Sequence, residues 1–302
     1  MVTREDVLQL KKEKNAIILA HYYTLPEVQE VADFVGDSLG LSQKAAQTDA
    51  DIILFAGVHF MAETAKILNP GKKVLIPDMK AGCSLADGCD AGHLAEFMKK
   101  YPDHKVLAYI NCTADVKTMA DIIVTSGNAL KIVNALPAEE KIVFVPDQNL
   151  GDYINRQTGR KMVLWDGDCC VHARWSAKMV LELKQKYPQV KLIAHPECPG
   201  EVLEQVDFVG STAAMLKYVA ASDEKEFVVI TENGILHEMR KQNPDKVFYT
   251  TDQLDACICH SMKMNNLENI YQTLKDEKPE LLLEEETIEK AKKPIIRMLE
   301  LS

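Results

Sequence analysis

The sequence predicts an α/β fold made of three similar units, each a short parallel sheet covered on both faces by helices. Short apolar runs alternate along the chain with helical stretches of about ten residues, the pattern of a sheet buried on both sides. The runs also recur in register. The loops after the fourth runs carry Cys83, Cys169 and Cys259, which stand 86 and 90 residues apart. That period is too long for a solenoid unit and suits a repeated domain. With 302 residues, 47% of them hydrophobic, the chain has material for a sizeable core.

In the first unit Thr3 caps a helix, with Asp6 in the capping-box position and Val7, Leu8 and Leu10 on its apolar side. The run Ala16–Ala20 ends at His21, and Pro26 opens a helix. Phe34-Val35 ends at Gly36-Asp37-Ser38, and a helix follows to Gln47. Ile52–Ala56 ends at Gly57, and the next helix stops at Asn69-Pro70-Gly71. The run at Val74 then leads through a loop to Cys83.

The second unit repeats this with runs Val106–Ile110, Ile122–Thr125, Ile142–Val145 and Met162–Trp165. The third has Leu192–Ala194, Phe208–Val209, Phe227–Ile230 and Val247–Tyr249. Two tail helices follow, at Leu267–Leu274 and Thr287–Leu301, with Pro294 within or at a break of the second; both are expected to pack across the units. The expected boundaries are 1–88, 89–171, 172–262 and a tail at 263–302. No Gly-, Ser- or Pro-rich linker suggests loosely tethered domains.

A net charge of −10 and a pI near 5.4 argue against general binding of nucleic acid or anionic membranes. The charged N-terminus lacks the apolar stretch of a signal peptide, and no run reaches the roughly 20 residues of a membrane span. The expectation is a cytoplasmic protein. Eight cysteines in such a chain point to metal binding or catalysis, with most of them small buried hydrophobes.

In open α/β sheets, ligands bind outside the carboxyl ends of the strands. Three units turned inward bring His21, Tyr23, Tyr109, Asn111, His195 and Glu197 to one cavity from the first strands. Ser38, Ser126, Ser211 and Thr212 come from the second strands, and the three cysteines from the fourth. Three distant thiolates suit an iron–sulfur cluster that leaves one iron open, a Lewis acid for dehydration. The competing reading is three buried cysteines that happen to recur.

The serines and Thr212, at helix N-termini, suit phosphate or carboxylate, or serve only as caps. His21, His195 and Glu197 are candidates for proton transfer. Tyr23 and Tyr109 suit donation to a carbonyl, or are core aromatics. His172, three residues after Cys169, lines the cavity or caps the helix that starts there. No G-x-G-x-x-G, Walker A, H-E-x-x-H or G-x-S-x-G motif is present.

The chain resembles the quinolinate synthase family of NAD biosynthesis. The resemblance rests on Ala20-His21-Tyr22-Tyr23, Asp33-Phe34-Val35-Gly36-Asp37-Ser38, Thr125-Ser126-Gly127-Asn128, His195-Pro196-Glu197-Cys198-Pro199, Val209-Gly210-Ser211-Thr212, Thr231-Glu232 and Met262-Lys263-Met264-Asn265. It implies three pseudo-threefold-related α/β/α sandwich domains around a central cavity. It implies a [4Fe–4S] cluster on Cys83, Cys169 and Cys259, with Cys170 and Cys257 as neighbouring alternatives. The implied reaction condenses iminoaspartate with dihydroxyacetone phosphate, losing phosphate and two waters. L-aspartate oxidase or aspartate dehydrogenase is the implied supplier of iminoaspartate.

By the same resemblance Glu197, Tyr23, Tyr109 and His21 are the expected acid–base groups. The serines, Thr212, Asn111, His172 and His195, with His21, Tyr109 and Glu197, are the expected substrate contacts. Some members carry C-x-x-C-x-x-C at the third ligand; only Cys257-x-Cys259 stands here, so a disulfide switch of that kind is not expected. An iron–sulfur sensor or an electron-transfer enzyme are the rival readings. The lack of a basic patch counts against the first, and an open iron beside polar strand ends counts against the second.

Overall fold

A computed structural model describes residues 2–252 and 257–302. Three four-stranded parallel sheets account for the described strands. The first contains β1 (Ala16–His21), β2 (Phe34–Gly36), β3 (Ile52–Ala56) and β4 (Lys73–Leu75). The second contains β5 (Lys105–Tyr109), β6 (Ile122–Val124), β7 (Ile142–Val145) and β8 (Val163–Leu164). The third contains β9 (Lys191–Ala194), β10 (Phe208–Val209), β11 (Glu226–Ile230) and β12 (Val247–Tyr249). In each sheet the strand order is second, first, third, fourth. The first strand of every unit is therefore central, and its carboxyl end opens between two neighbours.

Alternation along the strands explains the layers, because successive side chains point to opposite faces. Ile17 and Leu19 of β1, with Ile53 and Phe55 of β3, face a core that also takes in Leu107, Ile193 and Val229 from the other two sheets. Ile18, Ala20, Leu54 and Ala56 face the other way, against Val7, Val28, Ile270 and Leu274 of outer helices. The third sheet does the same, with Leu192, Ala194, Val228 and Ile230 turned outward against Trp175 and Val180. One shared inner core binds the three sheets together.

The capping box expected at Thr3 and Asp6 is present. The tail helix Glu285–Leu301 runs unbroken through Pro294 and packs on helices of both the first and second units, His59–Leu68 and Ala114–Met119. The other tail helix, Leu267–Asp276, packs on Arg4–Glu13. Residues 253–256, between β12 and Cys259, lie outside the described residues.

Candidate active site

The carboxyl ends of the three sheets meet at one cavity. His21, Tyr23, Ser38, Tyr109, Asn111, Ser126, His172, His195, Glu197 and Thr212 line it, together with Cys83, Cys169 and Cys259. Ser211 does not. It is buried and caps the helix Thr212–Ala221, its hydroxyl accepting the Ala214 N–H at 3.3 Å. Ser38 and Ser126 are not caps. Asp37 caps the helix Ser38–Gln47 through the Gly40 N–H, and Asn128 occupies the cap position of the helix Ala129–Ala135. The hydroxyls of Ser38 and Ser126 are therefore left to the cavity.

Glu197 is the centre of the polar wall. It is buried and engages one side chain at each oxygen, Tyr109 from the second unit and His172 from its own. The Tyr109 hydroxyl donates to Oε1 at 2.5 Å, and His172 Nδ1 stands 2.7 Å from Oε2. On the far side of the imidazole, His172 Nε2 is 2.7 Å from Thr231 Oγ1, and Thr231 Oγ1 is 2.7 Å from the Tyr23 hydroxyl. One assignment satisfies every atom: the Tyr23 phenol donates to Thr231, Thr231 donates to Nε2, and Nδ1–H donates to Glu197. A continuous proton path thus runs from Tyr23 to Glu197 and on to Tyr109.

Two more imidazoles flank this path. His21 Nδ1 accepts the Tyr23 N–H at 3.1 Å, and His195 Nδ1 accepts the Glu197 N–H at 3.3 Å. Both bonds leave the ring proton on Nε2, and His195 Nε2 donates to Ser126 Oγ at 3.2 Å. The rings of His172 and His195 stack at 4.8 Å.

Burial pushes both His21 and His195 down to about 3, so each is a neutral N–H donor at physiological pH. Burial also raises the Glu197 carboxyl, but His195, His172 and the Tyr109 hydroxyl more than reverse this and keep it ionised. Burial and the Glu197 charge hold the Tyr23 and Tyr109 phenols well above their usual range, so both stay protonated.

The thiols stand beside this wall, with Cys169 Sγ 3.2 Å from His172 Nδ1. Cys83, Cys169 and Cys259 come from three different units and are only partly buried. Cys83 and Cys259 stand directly before the short helical turns Ser84–Asp87 and His260–Lys263, and Cys169 stands three residues before His172–Arg174. Burial pushes the Cys83 thiol up to about 12, while the N–H groups of Ala86 and Leu85 pull it down. Cys259 is raised to about 11 by burial against the Met262 N–H, and Cys169 well above its usual range by burial against the His172 and Val171 N–H groups. Cys83 lies within electrostatic reach of both Cys169 and Cys259. None of the eight cysteines forms a disulfide. Cys257 is packed in the outer core of the third unit, whereas Cys170 is exposed at the cavity rim.

Thr231 was not among the sequence-level candidates, although its dipeptide with Glu232 carried part of the resemblance. Asp147, which does not line the cavity, was not singled out either. It is fully buried, caps the helix Gln148–Thr158, and is held well above the usual carboxyl range by burial and by Glu197. Its signal in the sequence is an acid two residues past the third strand of its unit, which is no different from an ordinary helix cap.

Buried acid–base groups from three strand ends, gathered with three thiols in one cavity, define an α/β enzyme with a small-molecule site. The profile of the quinolinate synthetase A protein family matches residues 5–300. The chain is 54% identical to a quinolinate synthase of Microcystis aeruginosa over 299 residues, 98% of this chain and 94% of that protein. It is 55% identical to one of Synechocystis over 299 residues, with the same coverage. It is 52% identical to one of Chloroherpeton thalassium over 302 residues, 99% of this chain and 94% of that protein. The chain belongs to the quinolinate synthetase A protein family.

Proposed function

We propose that the chain is a quinolinate synthase of NAD biosynthesis that condenses iminoaspartate with dihydroxyacetone phosphate, releasing phosphate and two waters. One observation carries the reading: Tyr23, His172, Glu197 and Tyr109, joined through Thr231 in one hydrogen-bonded path, line the same cavity as the three thiols.

The donor set fits an iron–sulfur cluster. Three soft sulfur ligands from distant loops, each before a turn of backbone N–H groups, suit iron and sulfide better than the closely spaced pairs of a structural zinc site. Cys83, Cys169 and Cys259 would hold it, in the [4Fe–4S] form that leaves one iron without a protein thiolate. When bound, it supplies a Lewis acid for the closing dehydration.

The protein's own groups do the rest. The substrates carry carboxylates and a phosphate. Their oxygens are met by the hydroxyls of Ser38, Ser126 and Thr212 and by the neutral N–H donor on His21, while His195 orients the Ser126 hydroxyl for donation. Asn111 Oδ1 is buried without a protein partner and suits a ligand donor such as an imine N–H or hydroxyl. Glu197, ionised and facing two donors, takes protons during isomerisation and ring closure. Tyr23 takes a proton at substrate while its own phenol proton passes through Thr231 and His172 to the ionised Glu197, and the reverse transfer returns it. Tyr109 steadies the carboxylate and donates in turn.

A second reading has a specific observation behind it. Ligand atoms of Cys169, His172 and Glu197 lie within 4.8 Å of one another, as at a mononuclear metal site. Against it, both nitrogens of His172 are already engaged, by Glu197 and Thr231. Anaerobic purification tests both. Iron and sulfide in about equal amounts, with quinolinate formed from the two substrates, is expected. Zinc without sulfide would replace the first reading with the second, and loaded protein that forms no quinolinate would overturn the catalytic assignment.

The units at 1–88, 89–171 and 172–262, with the tail at 263–302, are proposed as domains. Among the described residues no helix is long and apolar enough to cross a membrane. A cytoplasmic setting, and supply of the unstable iminoaspartate by an aspartate-oxidising enzyme, complete the reading.

A further inference from the structure

Thr231 and Glu232 follow β11 directly, and between them they hold Tyr23 at both ends. Thr231 takes the phenol, with the hydroxyl 2.7 Å from Oγ1. Glu232 takes the main chain through an intermediary. Its Oε1 pairs with the Lys263 ammonium at 2.9 Å, and Lys263 Nζ donates to the Tyr23 carbonyl at 2.6 Å. The same Oε1 accepts the Cys259 N–H at 3.1 Å, while Oε2 accepts the Gly234 N–H at 2.6 Å. Cys259 and Lys263 bracket a single helical turn, His260–Lys263. One carboxylate oxygen therefore grips both ends of the turn that carries the third thiol.

The pair is deep. Glu232 is 0% exposed and the Lys263 side chain 18%. Removing charges from water is costly unless their donors and acceptors are engaged, so such pairs serve geometry better than they serve stability. The packing has no slack. A Cβ on Gly234 would stand 2.8 Å from each of Glu232 Oε2, Lys263 Nζ and the Tyr22 carbonyl. Neither Glu232 nor Lys263 belongs to the proton path.

We propose that the Glu232–Lys263 pair is a positioning device that ties the Cys259 arm to Tyr23, so that breaking the pair loosens the third sulfur and the phenol together. The inference rests on reading the three thiols as an iron–sulfur site. Groups that hydrogen-bond around a metal ligand set its orientation and its hold on the metal. Here the same contact is also the main-chain anchor of Tyr23.

The test uses the full-length protein reconstituted with iron and sulfide under argon. Bleaching of the cluster absorbance by a ferrous chelator is timed, and kcat and KM are measured on the same samples. Lys263→Met is expected to bleach about tenfold faster than the wild type and to lose about tenfold in kcat, with KM within about twofold. Lys263→Arg keeps the charge and is expected to restore most of both losses. Gly234→Ala keeps both charges but crowds them, and is expected to move both readouts in the same direction as Lys263→Met.

Wild-type bleaching or wild-type kcat in folded Lys263→Met overturns the proposal. If Lys263→Met does not fold, Gly234→Ala decides by the same criterion. Should the wild type itself take up no iron or sulfide, the iron–sulfur reading falls and this inference with it. Should the wild type load normally and the variants match it, the inference alone falls.

Discussion

The first strands of the first and third units end in the same turn and deliver different chemistry. In both, the strand-end histidine accepts at Nδ1 the N–H of the residue two further on. In both, its carbonyl accepts the N–H three further on, from Thr24 at 3.0 Å and from Cys198 at 3.0 Å. The residue two further on is Tyr23 in one unit and Glu197 in the other. The second unit departs from this turn: Tyr109 replaces the histidine, and Cys112 N–H bonds the Ile110 carbonyl at 2.8 Å instead. Tyr109 then reaches out of its own unit to Glu197. The fold supplies three equivalent places, and the side chain at each decides whether the place holds a base, an acid or a donor.

If Glu197 is the base that the other two units serve, Glu197→Gln should cost the most. A neutral amide of the same shape is expected to lower kcat about 10³-fold with little change in KM, by steady-state quinolinate formation. Retention of turnover within tenfold would break the comparison. Tyr23→Phe and Thr231→Val each cut the path at the other end, and about 10²-fold in kcat is expected for each. Their double variant should be no worse than either alone, because groups acting as one unit are not additive. Multiplying effects would mean that Tyr23 and Thr231 work separately.

The shared turn also predicts an acid response. His21 and His195 are held down to about 3 in the folded chain, against about 6.5 when unfolded. Between those values the unfolded chain binds more protons, so stability is full above pH 6.5 and is lost as pH falls below it. Each histidine contributes a slope of about 1.4 kcal/mol per pH unit in that window. Denaturant titrations of the wild type and of His195→Asn should differ by one such slope; parallel curves would show that His195 is not held neutral. The smallest effect belongs to Ser211→Ala. Loss of a helix cap is expected to cost about 1 kcal/mol of stability and to leave kcat within about twofold. A large loss of activity would return Ser211 to the cavity.

The sheets were legible because each strand is a short apolar run bounded by turn residues, and the repeat doubled or tripled every such signal. Ile52–Ala56, Ile142–Val145, Phe208–Val209 and Val247–Tyr249 coincide with observed strands. The fourth run of the second unit shortens from Met162–Trp165 to Val163–Leu164, since an edge strand pairs on one side only. The distinction between Ser38 and Ser211 was not legible. Both follow a second strand, but the cap in the first unit is Asp37, and which residue caps depends on where the chain enters the helix. Thr231 was unreadable for a plainer reason: a threonine after a buried strand looks the same whether or not a tyrosine arrives to meet it.

What the sequence by itself determined is the set of parts and their order: three sheets, three inward strand ends, three loop thiols in a common phase. Periodicity and turn chemistry are local, so they survive in one dimension. Only the tertiary structure decided which parts meet. Tyr23 joins Thr231 across 208 positions, Tyr109 joins Glu197 across 88, and Lys263 reaches back 240 to the carbonyl of Tyr23. Such bonds form because three inner faces bury one another in a shared core, and that packing leaves no mark on any single stretch of chain.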